Sequence, residues 1–494
     1  MVWPIRKPTF EEIIIGVLFA VVSAFFILQH FYFITWDFSS YVLNSKCLFF
    51  NGDYCETQRP PLASFLLAPF IPLGKFGEYI YIFLVSLLFF YVCIKSSDAL
   101  FEKLRRKDSD KMFFRIIFLF FSLGLSAFIF GMREGTEILT LSFIELSAVQ
   151  AIKGKNSGFY LGLAFLSRYS SLAFIPLLFL NKKIKGIAKN FLAFLLVIFP
   201  WLLWNFLLYG NWFTGFIDGY VNNIAWRETI MPFSFSDIYV IAGYYALTAI
   251  AGIMLSFYFL FKSRADILER NKEFLLMILI SVIILWHYNE IPSKYPRYLF
   301  NLIYPVAFFS SFALISFYPL IEKYRKILAL IFLAVVLLTS ALFIIYEART
   351  EHLHWQSFKK AAVDIELLKL DKCEILSPQW VPVAYYTENV YPAPFGRSFL
   401  KESISKNKII LVFREPSMQA EGFEKKDLDD LPILLKKPEY TFYAKPDITV
   451  NCSPKYHFQE PYTKNHCIII EDKFSSIYLG NIAGKICLII NKAP

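Results

Sequence analysis

The sequence has 494 residues, of which 56% are hydrophobic and 19% aromatic, and it includes 55 phenylalanines. Soluble domains usually contain about 45–50% apolar residues; here the excess lies in charge-poor segments, which excludes an ordinary soluble protein and indicates a polytopic membrane protein. The net charge is +10, but the basic residues cluster in short segments between apolar runs, a pattern typical of membrane topology and not of nucleic-acid binding.

The first apolar run, residues 13–34, contains no Asp, Glu, Lys or Arg. About 20 such residues span a bilayer as a helix. The run is longer than the core of a signal peptide and lacks a small-residue cleavage site, so we predict a retained helix. Arg6 and Lys7 precede it, which predicts a cytoplasmic N-terminus. Asp37 then lies where the chain first leaves the membrane, in an external loop that extends to the segment Arg-Pro-Pro-Leu at 59–62.

The later apolar runs complete a predicted bundle of about 11 membrane helices, with the N-terminus inside, the C-terminus outside and every basic loop on one side. The runs are residues 76–94, 113–130, 138–152, 158–180, 191–208, 238–261, 274–286, 299–320 and 327–346. The run 158–180 counts as two short helices that turn at residues 167–170, because a single span would place the lysines at 182–185 outside. An arginine at such a turn, Arg168, is tolerated where it lines a polar cavity.

From about Glu347 the composition changes, and short β-rich runs appear among frequent charged residues. The β-rich runs are residues 409–413, 440–444, 467–470 and 486–490, and residues 359–370 are compatible with an amphipathic helix. We therefore predict a transmembrane domain at 1–346 and an external soluble domain at 347–494, which is α/β or mostly β. Cys47 and Cys55 in the first external loop, and four cysteines of the external domain, are free to form disulfides, with a pairing that the sequence leaves open.

Acidic and basic side chains gather at the predicted external ends of the helices. They are Asp37, Arg59, Arg133, Glu134, Glu137, Arg168, Glu290, Lys294 and Arg297. Carboxylates hold divalent cations or accept protons from hydroxyl groups, and arginine binds phosphate oxygens with paired donors. As a set beside wide apolar walls, these residues suit a substrate with a lipid tail, a phosphate and a polar group that is transferred.

Each of these residues also has a purely structural interpretation. Arg168 could pair with a carbonyl at a helix end, and Glu137 could cap its own helix. Arg297 lies between Tyr295 and Tyr298, a combination that is common in the aromatic belt at a membrane surface.

The same positions resemble a known family. Asp37 just after the first helix, Tyr41 four residues later and the segment 59–62 are similar to the first external loop of GT-C membrane glycosyltransferases, above all of the protein O-mannosyltransferase and aminoarabinose-transferase type. Thr136-Glu137 opening a helix, the segment GLAFLSR at 162–168, and YPRYL followed by Pro305 resemble later motifs of that family. The resemblance covers about residues 1–345.

The resemblance implies transfer of a sugar from a polyprenyl- or dolichyl-phosphate donor to a protein, lipid or glycan acceptor on the external face of a cell membrane. It implies that Asp37 is the catalytic carboxylate, as a base or as a ligand of Mg²⁺ or Mn²⁺, and that Glu137 is a second acid. The implied donor-phosphate ligands are Arg59, Arg168 and Arg297, and the further candidates in the loops are Tyr41, Arg133, Glu134 and Lys294.

Two departures from the family pattern bear on the site. Many relatives have Asp-Glu after the first helix, whereas Phe38 follows Asp37 here, which weakens a two-carboxylate metal site. Gln58-Arg59 stands where relatives often have Glu-Lys, so that the cation is kept and the acid is lost.

The main alternative function is a transporter or flippase of a polar or lipid-linked substrate, in which charged residues line a path through the membrane. The charges collect at one face and no two-fold repeat is present, and both features argue against this alternative. A noncatalytic scaffold that presents the external domain would leave the pairing of Asp37 with Arg59 unexplained.

Overall fold

The computed structural model describes residues 8–52, 56, 58–104, 111–180, 183–217, 219, 234–243, 245–262, 267–291, 294–317, 321–387, 389–392, 397–414, 428, 430–448 and 452–453. These residues form a helical bundle followed by a small α/β unit. The helices of the bundle are α1 (Phe10–Tyr32), α2 (Trp36–Phe50), α3 (Leu62–Leu67), α4 (Lys75–Leu104), α5 (Lys111–Ser122), α6 (Leu125–Phe130), α7 (Glu137–Ile152), α8 (Gly158–Ser167), α9 (Ile184–Tyr209), α10 (Phe235–Ala242), α11 (Tyr245–Lys262), α12 (Ile267–Glu290), α13 (Ile303–Ser316) and α14 (Arg325–Arg349). Short 3-10 helices span Ala68–Leu73, Tyr169–Leu180, Pro296–Leu302 and Glu322–Tyr324.

Within the described ranges, six helical segments are long and apolar enough to cross a bilayer. They are Phe10–Tyr32, Lys75–Glu102, Ile184–Tyr209, Lys272–Glu290, Pro296–Ser316 and Glu322–Arg349. The pair Phe235–Ala242 and Tyr245–Tyr258, bent by 91°, would make a seventh span. The chain is thus a multi-pass membrane protein, as its composition predicts, while the number of about 11 crossings and the orientation of the termini stay predictions.

The spanning helices differ in how much of their surface the protein itself covers. In the apolar stretch of Pro296–Ser316, 83% of the residues are buried inside the protein, against 17% in Ile184–Tyr209 and in Glu322–Arg349. Apolar side chains that the protein leaves uncovered face lipid at no cost, because the hydrocarbon is as apolar as they are. Pro296–Ser316 therefore lies in the middle of the bundle, and the other two helices lie at its periphery.

The run 158–180 is divided as the sequence predicts. Helix α8 ends at Ser167, a 3-10 helix begins at Tyr169, and Arg168 between them has an extended backbone (φ −163°, ψ 123°). The predicted division into two short helices is thus confirmed, with Arg168 at the break between them, while the predicted turn back within the membrane stays a prediction.

The predicted external loop after α1 is largely helical, since residues 36–50 form α2, which the sequence analysis does not predict; the external position of this segment stays a prediction. Asp37 lies in the first turn of α2, where Thr35 is the N-cap and its hydroxyl oxygen accepts a hydrogen bond from the Phe38 amide (3.2 Å). A capping threonine and an acid in the first turn both stabilise a helix start. The eight consecutive residues 38–45, which include three serines, are all buried. This helix is therefore stabilised by packing on all sides and not by an amphipathic pattern.

Over the residues that the structure describes, the C-terminal unit combines helices with a small sheet, the α/β form of the predicted domain. Its elements are α15 (Glu351–Leu367), β1 (Ile375–Ser377), α16 (Trp380–Thr387), β2 (Val390–Pro392), α17 (Arg397–Ser405), β3 (Ile409–Phe413), β4 (Ile433–Lys436) and β5 (Tyr440–Tyr443). The sheet order is β2-β1-β3-β5-β4, with β1 parallel to β2 and β3, and β5 antiparallel to β3 and β4. The strands predicted at 409–413 and 440–444 are thereby confirmed, and helix α15 begins eight residues before the predicted helix at 359–370.

A disulfide joins Cys373 to Cys452 in the C-terminal unit, with the Cα atoms 5.3 Å apart. The strands predicted at 467–470 and 486–490, and the Cys55 half of a Cys47–Cys55 pair, lie outside the described residues. The domain boundary at 346/347 stays a prediction; helix α14 continues past it to Arg349.

The C-terminal unit packs on the end of the bundle where α1 ends and α2 begins. The rings of Trp36 and Trp380 meet edge to face with centroids 5.8 Å apart. The Tyr385 hydroxyl donates a hydrogen bond to Glu78 Oε1 on α4 (2.6 Å). The unit therefore borders directly on the start of α2, which carries Asp37.

Candidate active site

Asp37 is held between two arginines that come from distant parts of the chain. Its Oδ1 lies 2.7 Å from Arg59 Nη1, and its Oδ2 lies 2.5 Å from Arg297 Nη2. Arg59 follows α2, whereas Arg297 lies in the 3-10 helix that precedes α13. The fold thus brings together the first and the last of the motifs that the sequence singles out.

Arg297 is the centre of the cluster, because its guanidinium meets three carboxylates. Besides Asp37, Nη1 lies 2.8 Å from Glu134 Oε2 and Nε lies 3.5 Å from Glu137 Oε1. The Arg297 side chain is 24% exposed and that of Glu134 is 12% exposed. Every nitrogen of this guanidinium therefore has a carboxylate beside it, and the group is still open to solvent on one side.

Glu137 and Arg168 form a second ion pair within the same cluster. Glu137 begins α7, as the sequence predicts, with Thr136 at the N-cap position. Its side chain is only 1% exposed, so its charge depends on Arg168 and Arg297 for compensation. The break after α8 explains the position of Arg168, since a continuing helix would direct this residue elsewhere.

Glu56 completes the cluster, and the sequence analysis missed it. Its Oε2 lies 2.9 Å from Arg59 Nε, and both of its backbone groups bond to the Asn44 side chain on α2 (2.6 and 2.9 Å). The acid that is absent at position 58 is thus supplied two residues earlier. The Asn44 contact, which is tertiary, holds the Glu56 backbone, and the Gln58 side-chain amide donates to Glu56 Oε1. The first of these contacts is not visible from the sequence.

The turn between α6 and α7 places Glu134 and Glu137 beside α2. The Thr35 hydroxyl donates to the carbonyl of Arg133 (2.8 Å), and the Tyr81 hydroxyl donates to the carbonyl of Gly135 (2.8 Å). Gly135 has a φ of +85°, and a Cβ atom there would lie 2.9 Å from the Phe38 ring. The position therefore requires glycine both for its backbone conformation and for the close approach of α2.

The electrostatic environment shifts the pKa values of Asp37 and Glu134 in opposite directions. Burial raises the pKa of Asp37, but the charges of Arg297 and Arg59 outweigh burial, so that the pKa lies well below its ordinary value and Asp37 is ionised. Burial, the main influence on Glu134, raises the pKa of that carboxyl together with Asp37 and Glu137, and Arg297 only partly opposes this. Glu134 is therefore the carboxylate of this pair that more readily takes a proton.

The other candidates from the sequence lie beside the cluster or apart from it. Tyr41 is buried, its ring centroid is 6.0 Å from the Arg59 guanidinium carbon, and burial raises its pKa to about 12. Arg133 turns to the ring of Phe33 (4.3 Å) and to Glu347 (3.6 Å). Lys294 Nζ donates to the backbone carbonyls of Asn289 (2.7 Å) and Ile291 at the end of α12, which explains its position without a role at Asp37.

The donor set does not fit a divalent cation. Within the described ranges, no three His, Cys, Asp or Glu side chains are arranged to hold a metal ion. Both oxygens of Asp37 face guanidinium groups, and the Arg297 guanidinium occupies the centre of the three carboxylates where a cation would be expected.

Comparisons with solved structures identify the architecture. The chain superposes on ArnT from Cupriavidus metallidurans bound to undecaprenyl phosphate, with a TM-score of 0.59, 13% identity and coverage of 90% of this chain and 99% of that one. The fold is therefore GT-C-like, as the sequence motifs predict. The apo form of the same ArnT gives a TM-score of 0.54 at 12% identity, over 90% of this chain and 98% of that one.

A second solved protein has a similar fold. The apo oligosaccharyltransferase of Archaeoglobus fulgidus matches with a TM-score of 0.53 and 10% identity, over 82% of this chain and 70% of that one. No family model and no curated protein matches the sequence. The architecture expected from the motifs at residues 37–62, 136–168 and 295–305 is thus confirmed at the level of the fold.

Proposed function

We propose that the protein is a membrane glycosyltransferase that moves a sugar from a polyprenyl- or dolichyl-phosphate donor to a protein, lipid or glycan acceptor. The observation that carries the proposal is the position of Asp37 between Arg59 and Arg297 at one end of an apolar bundle. The GT-C-like fold supports it, since the solved neighbours include ArnT bound to undecaprenyl phosphate and an oligosaccharyltransferase. In this proposal the reaction takes place on the external face of the cell membrane, with the N-terminus in the cytoplasm.

The donor binds with its isoprenoid tail along the apolar helices and its phosphate at the arginines. Arg59 and Arg297, which both contact the Asp37 carboxylate, are the main ligands of the phosphate in this proposal. Arg168, which pairs with Glu137, contributes a third positive charge. Guanidinium groups recognise phosphate through paired hydrogen bonds. They also stabilise the negative charge that grows on the phosphate as it leaves.

Asp37 acts on the acceptor. The acceptor oxygen attacks the anomeric carbon, the bond from that carbon to the phosphate oxygen breaks, and the electron pair leaves with the lipid phosphate. The hydroxyl proton passes to Asp37. In the free site Asp37 is a weak base, because two arginines lower its pKa. When the donor phosphate shares those arginines, their effect on Asp37 weakens and its basicity rises, so the base becomes competent when donor is present.

The proposal contains no metal, and a chelator tests that part of it. We expect the rate of sugar transfer to be unchanged by excess chelator and not to increase when Mg²⁺ or Mn²⁺ is added. A strict requirement for either ion would show that the arginine-centred arrangement around residue 297 is not the reactive one.

The main experiment uses purified protein in detergent with a panel of radiolabelled polyprenyl-phosphate sugars, and compares wild type with Asp37→Asn. We expect transfer, or slow hydrolysis of the donor, by the wild type alone, with both proteins monodisperse and equally stable. Full activity of Asp37→Asn would remove Asp37 from the reaction. Binding of lipid phosphate by both proteins without turnover of any donor, in the presence of membrane extract as a source of acceptor, would favour a transporter or flippase.

A further inference from the structure

Arg297 cannot bind a donor phosphate in the arrangement that the structure shows. Its Nη2 is at Asp37, its Nη1 is at Glu134 and its Nε is near Glu137. A phosphate that forms a paired contact with this guanidinium must take the place of at least one carboxylate. The question is which of the three gives way.

Glu134 is the carboxylate that can leave. Asp37 has a second arginine, Arg59, on its other oxygen, so it is anchored from two sides. Glu137 is 1% exposed and is held by Arg168 as well. Glu134 lies in the turn before α7, is 12% exposed, and its ion pair is with Arg297.

The charge balance of the cluster also favours the departure of Glu134 as a neutral group. Four carboxylates (Asp37, Glu56, Glu134 and Glu137) face three arginines (Arg59, Arg168 and Arg297). A phosphate would add a further negative charge to this excess. The charged groups that act on Glu134 are Arg297 from the 3-10 helix, Asp37 from α2, Glu137 from α7 and Arg133 from its own turn. Once the phosphate takes Arg297, two acids remain near Glu134, and only Arg133 still favours its ionised form.

We propose that Glu134 is a resident counter-anion of Arg297, which the donor phosphate displaces, and that Glu134 takes up one proton from solvent as the donor binds. The Arg297–Glu134 ion pair breaks, an Arg297–phosphate ion pair forms, and a water-derived proton goes to the Glu134 carboxylate. This inference rests on the proposed function, because it assumes a phosphate at Arg297. Glu134 is a positioning residue in this scheme, since it acts through Arg297.

The pH dependence follows from proton linkage. A binding step that takes up a proton becomes weaker as pH rises above the pKa of the group in the free protein. Burial already raises that pKa for Glu134, and loss of the Arg297 contact raises it further in the complex. Between the two pKa values the donor affinity falls by up to about tenfold per pH unit.

The test measures proton uptake directly. A polyprenyl methyl phosphodiester is the probe, because a phosphate monoester has a second pKa of about 6 and would itself release or take up protons. Its binding to the full-length protein in detergent is measured by calorimetry in two buffers of different ionisation enthalpy, over a range of pH. Wild type is compared with Glu134→Gln, and Glu322→Gln, a distant exposed carboxylate, is the control for loss of one negative charge.

We expect the wild type and Glu322→Gln to take up about one proton per bound phosphodiester at pH values between the pKa of Glu134 in the free protein and its pKa in the complex. Glu134→Gln should take up none, lose the pH dependence and bind about 5- to 10-fold more tightly at neutral pH, since no ion pair has to be broken. Binding by the wild type without proton uptake, or with the same uptake in Glu134→Gln, would overturn the role of Glu134 and leave the proposed function intact. Failure of the folded wild type to bind any polyprenyl phosphodiester would overturn the proposed function instead.

Discussion

Helix α4 carries Asp98 near its C-terminal end, where it pairs with Arg115, and Glu78 near its N-terminal end, which adjoins the Asp37 and Arg297 cluster through His30 and Phe38. The two charged clusters near these ends are built differently. At one end Asp98 accepts two hydrogen bonds of 2.8 Å from Arg115, from Nε and Nη2, and Lys111 Nζ lies farther away, 3.9 Å from Asp98 Oδ2 and 3.8 Å from Glu102 Oε1. At the other end Glu78 bonds to His30, whose ring packs on Phe38 next to Asp37. Glu78 and Asp98 are separated by about 30 Å of helix.

The difference lies in how the arginines are shared. Arg115 uses its fork on one carboxylate from the neighbouring helix, an arrangement that closes the pair and stabilises the local packing. Arg297 divides its three nitrogens among three carboxylates, which come from α2, α7 and the turn before it. A shared guanidinium can exchange one partner for a phosphate oxygen and keep the others. The Asp98–Arg115 contact is therefore suited to stability, and the cluster around Arg297 is suited to binding.

The largest effect is expected for Asp37→Asn compared with Asp98→Asn. Loss of the acceptor-directing carboxylate should lower the transfer rate by about 10³-fold, within the range for loss of a general base, with little change in thermal unfolding. Asp98→Asn should instead cost about 1–3 kcal/mol of stability, because it leaves Arg115 without its counter-charge. Initial rates per mole of monodisperse protein and unfolding midpoints in detergent separate the two effects. Equal losses of rate per folded molecule in both variants would contradict the comparison.

A smaller effect is expected for Arg59→Ala, in which one of the two arginines at Asp37 is lost. Removal of a charge-assisted phosphate contact should weaken donor binding by about 10- to 100-fold. Lys294→Ala is the matched control: it removes a cation in the chain segment next to Arg297, but one that donates to the carbonyls of Asn289 and Ile291. Its donor affinity should stay within about twofold of wild type. Unchanged affinity in Arg59→Ala would exclude Arg59 as a phosphate ligand.

The contrast between Arg59 and Lys294 also shows how far the sequence predicts the site. A charge at the end of an apolar run is visible from composition alone, and Asp37, Arg297 and Glu137 were all found in that way. The direction of a side chain is not visible. Lys294 turns to backbone carbonyls of α12, and Arg133 turns to the Phe33 ring, because partners that are distant in the sequence or part of the backbone offer better contacts there.

The fold, like the site, can be predicted only where a local feature of the sequence determines it. Long apolar runs predict the bundle, since a bilayer dictates their length, and the break at Arg168 follows from charge placement. Helix α2 was missed because its serines look like a loop and its burial comes from all sides, although Thr35 two residues before Asp37 is a recognisable capping residue. Glu56 was missed because Asn44, which is in turn part of α2, positions it.

The smallest effect is expected at the contact between the bundle and the C-terminal unit. Tyr385→Phe removes the hydroxyl that donates to Glu78 Oε1 (2.6 Å), and it should cost about 1 kcal/mol of stability, as is usual for one hydrogen bond. Because Glu78 keeps its second contact, to His30 (2.6 Å), Phe38 and Asp37 stay in place, and the transfer rate should change by less than about twofold. A double-mutant cycle with Glu78→Gln measures the coupling. A coupling free energy near zero would mean that Tyr385 acts within the C-terminal unit alone, whereas about 0.5 kcal/mol or more would place the hydroxyl in the chain of contacts that joins this unit to the start of α2.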